Sequence, residues 1–64
     1  MKYTVKVHTF SYARTDTAAQ VKVSYEAALS VIEADNGTLL QSIAILDGGT
    51  VIVVTMIYNK IVIN

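Results

Sequence analysis

"TAAQVKVSYEAALSVIEADNG", residues 17–37, decides the fold class, because it can form either a helix or a strand. Thr17 and Gln20 have the spacing of a capping box, in which the hydroxyl and the amide side chain satisfy each other's backbone N–H groups. Asn36 and Gly37 are typical of a helix end, since glycine accepts the left-handed conformation that follows a last helical turn. These end signals and the alanine-rich flanks predict one helix of about 18 residues.

The apolar residues of this segment fall on two opposite sides of the predicted helix. A helix that is apolar on both sides is usually buried on both sides, and in so short a chain another subunit can supply the second cover. The run "QVKVSY" also alternates, which supports a strand as the competing interpretation. The main stripe consists of Ala18, Val21, Tyr25, Ala28, Leu29 and Ile32, and the lighter stripe consists of Val23, Ala27, Val31 and Ala34.

Both flanks of the helix have the pattern of β-strands. Residues 2–12 alternate with period two, residues 39–46 are nearly all apolar, and residues 50–58 are rich in β-branched side chains. "DGG" at 47–49 indicates a hairpin, because glycine supplies a positive φ at little cost. Residues 60–63 form either a short fourth strand or a continuation of the third. The sequence therefore predicts an α+β fold of order β-α-β-β(-β), with one helix packed on a small, largely antiparallel sheet.

Length and composition predict self-association. The chain of 64 residues is expected to form a single compact domain over 1–64, and a domain of this size buries only about 60% of its extended surface. It contains no cysteine and one histidine, so neither a disulfide nor a structural metal site is expected to stabilise it. The hydrophobic fraction is 53% and the charged fraction is 16%, against about 25% in typical domains. We therefore expect homo-oligomerisation to complete the sheet.

Several functional classes are disfavoured by the sequence. The formal net charge is zero, whereas duplex nucleic acid binding needs a basic surface. The apolar stretches are shorter than the roughly 20 residues that span a bilayer, and the N-terminus lacks the pattern of a signal peptide. We therefore expect a cytoplasmic protein (in the host cytoplasm if a phage encodes it) without membrane contact. Since His8 has no acidic neighbour to orient it, neither catalysis nor a cofactor is expected.

The first predicted strand carries the best candidate binding residues. On a strand, every second side chain projects to the same side, about 6–7 Å apart. Lysine, histidine and arginine can hold phosphate oxygens, and aromatic rings can stack on a base. The alternative is a solvated strand face with lysines that discourage aggregation, and with aromatic rings that pack on a neighbouring subunit. The candidate ligand-binding residues are Lys2, Lys6, His8, Phe10, Tyr12 and Arg14.

These observations predict a non-catalytic, homo-oligomeric binding protein. It is expected to hold a small anionic, nucleotide-like ligand at subunit interfaces, because one small chain lacks the depth for a pocket. The alternative is a structural or protein-interaction module that takes no small ligand and acts through its sheet edge or the outer side of its helix.

Three stretches carry a resemblance to a known family. "KYTVKV", "LLQSIAIL" and "VTMIY" resemble the first strand, the second strand and the apolar-Tyr end of the last strand in a family of sporulation-associated proteins of about the same length. The resemblance implies a strand, a long helix and a hairpin, and it implies no specific activity. In its type, the chain is also similar to small phage proteins that sequester nucleotide signals of host immunity.

Overall fold

The computed structural model describes residues 2–62, which form three strands and one helix. The elements are β1 (Lys2–Ala13), α1 (Ala18–Ala34), β2 (Gly37–Asp47) and β3 (Val51–Val62). The strands form one antiparallel sheet of order β1-β3-β2, and α1 packs on one of its faces. The predicted α+β fold of order β-α-β-β is therefore confirmed.

The third strand is longer than its sequence pattern indicates. β3 runs through Asn59 and Lys60 and ends at Val62, so residues 60–62 continue this strand and do not begin a fourth. Ile63, the last residue of the predicted extra strand, lies outside the described residues. Because β3 pairs with both β1 and β2, it is the central strand of the sheet.

The helix runs from Ala18 to Ala34, so the strand interpretation of "QVKVSY" is wrong. The capping box is present: the Thr17 backbone N–H donates to Gln20 Oε1 at 2.8 Å, and the Gln20 backbone N–H donates to Thr17 Oγ1 at 3.3 Å. A satisfied first turn favours the helix over a strand, because the first N–H groups of a helix have no partner within it.

The end of the helix differs from the expectation in one residue. Asn36, with φ of 57°, takes the left-handed conformation that the sequence assigns to Gly37. Gly37 begins β2 instead and is needed for another reason. A Cβ at this position would collide with the ring of Tyr58 and would lie 2.9 Å from Ile32 Cγ2. Glycine therefore lets the start of β2 pass closely under the helix end.

The strand register divides the sheet into two faces. The covered face, under α1, carries the even-numbered residues of β1 and β3 together with Leu39, Ser42, Ala44 and Leu46 of β2. The open face has no layer of protein on it among the described residues. It carries the odd-numbered residues of β1 and β3 together with Thr38, Gln41, Ile43, Ile45 and Asp47 of β2.

The core is small and lies between α1 and the centre of the sheet. Its buried residues are Ala28 and Ile32 from the helix and Val54, Met56 and Tyr58 from β3. Half-buried side chains surround them, namely Phe10, Tyr12, Tyr25 and Ile52.

Three members of the predicted helix stripe, Ala18, Val21 and Leu29, are not part of this core. Tyr25 packs against it as expected, but Leu29 is 40% exposed. The contact line of α1 runs through Ala28 and Ile32, and the next residue along a helix points about 100° away from such a line.

Candidate functional site

The six candidate residues do not form one surface. Lys2, Lys6, His8, Phe10 and Tyr12 lie in the even-numbered row of β1, which is on the same face as α1. The row therefore borders the helix, and its members meet different parts of it. Arg14 follows the strand, and its backbone N–H donates to the Thr50 carbonyl at 3.0 Å beside the hairpin.

The two aromatic members of the row join a cluster with the helix. The ring centroids of Phe10 and Tyr25 lie 5.0 Å apart in an edge-to-face arrangement. The ring centroid of Tyr12 lies 6.5 Å from that of Phe10 and 6.4 Å from that of Tyr25. The edge-to-face pair stabilises the fold, and Tyr12, tilted against both rings, packs beside it under α1. Tyr12 is therefore a packing residue, and Phe10 is shared between the core and the pocket described next.

A pocket lies between the edge strand β1 and the helix. It has a volume of about 260 Å³ and is open to solvent along the edge of the sheet. Its walls are mostly apolar, and His8 brings the imidazole while Ser24 brings a hydroxyl that also donates to the Gln20 carbonyl at 3.3 Å. The lining residues are His8, Phe10 and Ser11 of β1 and Ser24, Ala27, Ala28 and Val31 of α1. Thus, two of the six candidate residues line one pocket within a single chain.

A charged cluster adjoins this pocket at the end of the helix. The Asp35 carboxylate accepts from Lys6 Nζ at 3.0 Å, from Lys60 Nζ at 2.6 Å and from the Tyr58 hydroxyl at 2.9 Å. Two ammonium groups share one carboxylate, so these three ionised side chains have a net formal charge of +1. Lys6 is the next residue of the row after His8, about 7 Å along the strand, so positive charge lies beside the pocket.

The hydrogen bonds of this cluster shift two pKa values. The bonds from Lys60 and Lys6, followed by the bond from Tyr58, lower the pKa of Asp35 well below its usual range. The same carboxylate raises the pKa of Tyr58, because a hydroxyl that donates to an anion resists ionisation. Asp35 therefore stays ionised and holds the end of α1 to β1 and β3.

Sequence reasoning missed three members of this cluster: Asp35, Tyr58 and Lys60. The available signal was the position of Asp35 at the predicted helix end, where its side chain can reach the sheet. The register that brings Lys6 opposite Tyr58 could not be read from the sequence.

The two outer candidate residues, Lys2 and Arg14, do not line the pocket. Arg14 is eight residues beyond Lys6, which corresponds to about 27 Å along an extended strand. Lys2 lies in the opposite direction, paired with Val62 at the last described position of β3. The structure therefore brings Lys6, His8 and Phe10 together and places Arg14 elsewhere.

Neither a metal site nor a membrane-spanning helix is found in the described part of the chain. Among residues 2–62, no three His, Asp or Glu side chains are grouped so that they could hold a metal ion. Within the same range, α1 is not long and apolar enough to cross a membrane.

Comparisons of the chain with protein-family models, with curated proteins and with solved structures find no match. The resemblance to sporulation-associated proteins and the similarity in type to phage sequestering proteins therefore stay predictions.

Proposed function

We propose that this chain is a non-catalytic, homo-oligomeric binding protein that holds a small anionic, nucleotide-like ligand in the pocket between β1 and α1. The observation that carries the proposal is the juxtaposition of His8 and Phe10 in one pocket, with the Lys6 ammonium next in the same row. Imidazolium and ammonium groups can hold phosphate oxygens, and an aromatic ring offers a surface to a base.

The dimensions of the pocket suit only part of a nucleotide. A volume of about 260 Å³ is slightly below the roughly 300–1,000 Å³ of typical small-molecule sites. In the proposed arrangement the base lies against Phe10 and Ala27, and the phosphate extends toward Lys6. In this proposal the ligand is bound and not transformed, and no carboxylate that could orient His8 as a base lines the pocket among the described residues. Binding without turnover fits a role in sequestering a cytoplasmic nucleotide.

One observation favours the alternative, an interaction module without a small ligand. Asp35 already accepts from both Lys6 and Lys60, so a phosphate at Lys6 has to compete with a carboxylate 3.0 Å away. If that competition is lost, the cluster serves only to join α1 to the sheet.

Isothermal titration calorimetry with mono-, di- and cyclic nucleotides tests the proposal. We expect Lys6→Ala to weaken binding by about 1.5–3 kcal/mol, the range of a hydrogen bond to a charged group. Ala27→Leu should abolish binding, because a larger side chain fills the pocket while leucine keeps a high helix propensity.

Matched controls separate a pocket from a general charge effect. Lys22→Ala removes the same charge from the exposed side of α1, and Ala19→Leu adds the same side chain in the first helical turn, away from the pocket lining. Both variants should bind as the wild type does, and so should Arg14→Ala. The titrations use about 100 μM protein so that weak ligands are detected. If no nucleotide gives a heat of binding, the interaction module is the remaining function.

A further inference from the structure

The open face of the sheet is apolar and carries almost no charge. Asp47 is the one charged side chain among its described residues, and it lies beside the hairpin at one end. The exposed apolar side chains include Tyr3 and Val5, which are 65% and 63% exposed. The face also has threonine, serine, asparagine and glutamine, which can pair without a counter-charge. Its large apolar residues are Tyr3, Val5, Val7, Ile43, Ile45, Val51, Val53, Ile57 and Ile61.

The chain as a whole exposes more surface than a compact monomer of its length. The chain exposes 4530 Å², whereas a compact monomer of this length exposes about 4,000 Å². The radius of gyration is 13.3 Å, against about 11 Å for a compact domain of 64 residues. A two-layer chain with one bare sheet face is therefore larger and more elongated than a self-sufficient domain.

We infer that the open face pairs with the open face of a second copy, forming a two-fold dimer with a helix on each outer side. Two twisted sheets packed in this way cross at about 30° with about 10 Å between them. Three strands of about eleven residues give a face of roughly 14 by 37 Å, or about 500 Å² per copy. Two copies then bury about 1,000 Å² if the faces are treated as flat, without the added area of protruding side chains. This area meets the lower limit of a specific interface.

The chemistry of the face favours a second copy over an unrelated partner. A two-fold interface uses the same surface twice, so it needs a surface that is complementary to itself. An apolar, gently twisted face whose one described charge, Asp47, lies at the hairpin end satisfies this condition, because its central part presents no like charges to its copy. Homodimer interfaces are also more apolar than non-obligate interfaces. This inference rests on the homo-oligomer in the proposed function, but the nucleotide pocket lies on the covered side, so the two can fail separately.

Sedimentation velocity with two matched variants tests the surface. Val5→Lys places a charge on the open face, and Val23→Lys places the same charge on the outer side of α1, where the valine is 68% exposed. We expect the wild type and Val23→Lys to sediment as dimers at about 100 μM, a concentration chosen to populate weak dimers, and Val5→Lys to sediment as a monomer. Far-UV circular dichroism of each variant reports whether it is folded.

Thiol labelling gives a second measurement that does not depend on breaking the dimer. The chain has no cysteine, so Val7→Cys and Val23→Cys each carry one thiol, at positions that are 59% and 68% exposed in the single chain. In the dimer the thiol at position 7 should react about tenfold more slowly than the thiol at position 23, because only the residual monomer exposes it. Dilution should remove the difference.

Three results would overturn the inference. The first is a wild-type protein that is monomeric and folded at about 100 μM, where even weak dimers are populated. The second is an oligomer in which the thiol at position 7 labels freely while that of Val23→Cys, or of Leu46→Cys on the covered face, is protected. The third is an oligomer larger than a dimer that protects several of these sites. If the dimer is absent while nucleotides still bind the pocket, the inference fails and the binding function stands.

Discussion

The two faces of β3 have similar side chains and different surroundings. Val54, Met56 and Tyr58 on the covered face are buried, whereas Val53, Thr55 and Ile57 on the open face are only half-buried. Successive side chains of this strand thus alternate between full burial and partial exposure. The comparison teaches that similar apolar side chains can differ in burial, because among the described residues α1 packs on only one face of β3.

The first test of this comparison replaces one residue on each face. Met56 is 1% exposed, and Met56→Ala should lower the free energy of unfolding by about 2–5 kcal/mol through lost burial and the cavity left behind. Val5→Ala on the open face should change it by no more than about 0.5 kcal/mol in the monomer, as most surface changes do. Urea unfolding at low protein concentration measures both. Equal losses would mean that the two faces are equally buried in one chain.

The second test fills the space that Gly37 leaves under the helix end. Gly37→Ala forces a Cβ against Tyr58 and Ile32, and this overpacking should cost about 1–3 kcal/mol. Tyr58→Val removes the ring, so the double variant should lose less than the sum of the two single changes. A double-mutant cycle by chemical denaturation gives the coupling. If the two losses of stability are additive, position 37 and the Tyr58 ring are not in direct contact.

The third test weakens the element that covers the sheet. Thr17→Ala removes the N-cap hydroxyl that accepts from the Gln20 backbone N–H, and the loss of stability should be about 1 kcal/mol. Thr15→Ala is a matched control in the loop before the helix and should have little effect. Thermal unfolding followed at 222 nm measures both variants. If the two behave alike, the capping box is not what starts α1.

The smallest effect is expected from the charged link between the helix end and the sheet. The folded-state pKa of Asp35 lies below its ordinary value of 3.8, so its stabilising effect is fully present above about pH 4. It is lost as the pH falls through the folded-state pKa, because protonation of Asp35 weakens its bonds with Lys6 and Lys60. Asp35→Asn should therefore reduce the dependence of stability on pH below 4.

Glu33→Gln removes a carboxylate two residues earlier in the same helix and serves as the control for Asp35→Asn. Urea unfolding between pH 2 and pH 6 compares both variants with the wild type. We expect Glu33→Gln to keep the acid dependence of the wild type. An unchanged dependence in Asp35→Asn would mean that the cluster contributes nothing to stability.

Much of the candidate site lay beyond sequence reasoning. The sequence predicts which β1 residues share one side of the strand, because side chains alternate with period two, and the register confirms this grouping. Whether Lys6 and Phe10 face solvent or the helix depends on where α1 returns, and no local pattern encodes that. The carboxylate of Asp35 is 29 residues from Lys6 in the chain, so their ion pair exists only in the folded protein.

The sequence by itself determined the elements. The Thr17 and Gln20 cap, the glycines of "DGG" and the period-two runs are local signals, and each acts through neighbouring backbone groups. Only the tertiary structure decided that β3 is central, that Ala28 rather than Leu29 meets the sheet, and that the even-numbered row of β1 lies under the helix. These outcomes depend on strand register and helix rotation, which are set by packing between segments far apart in the chain.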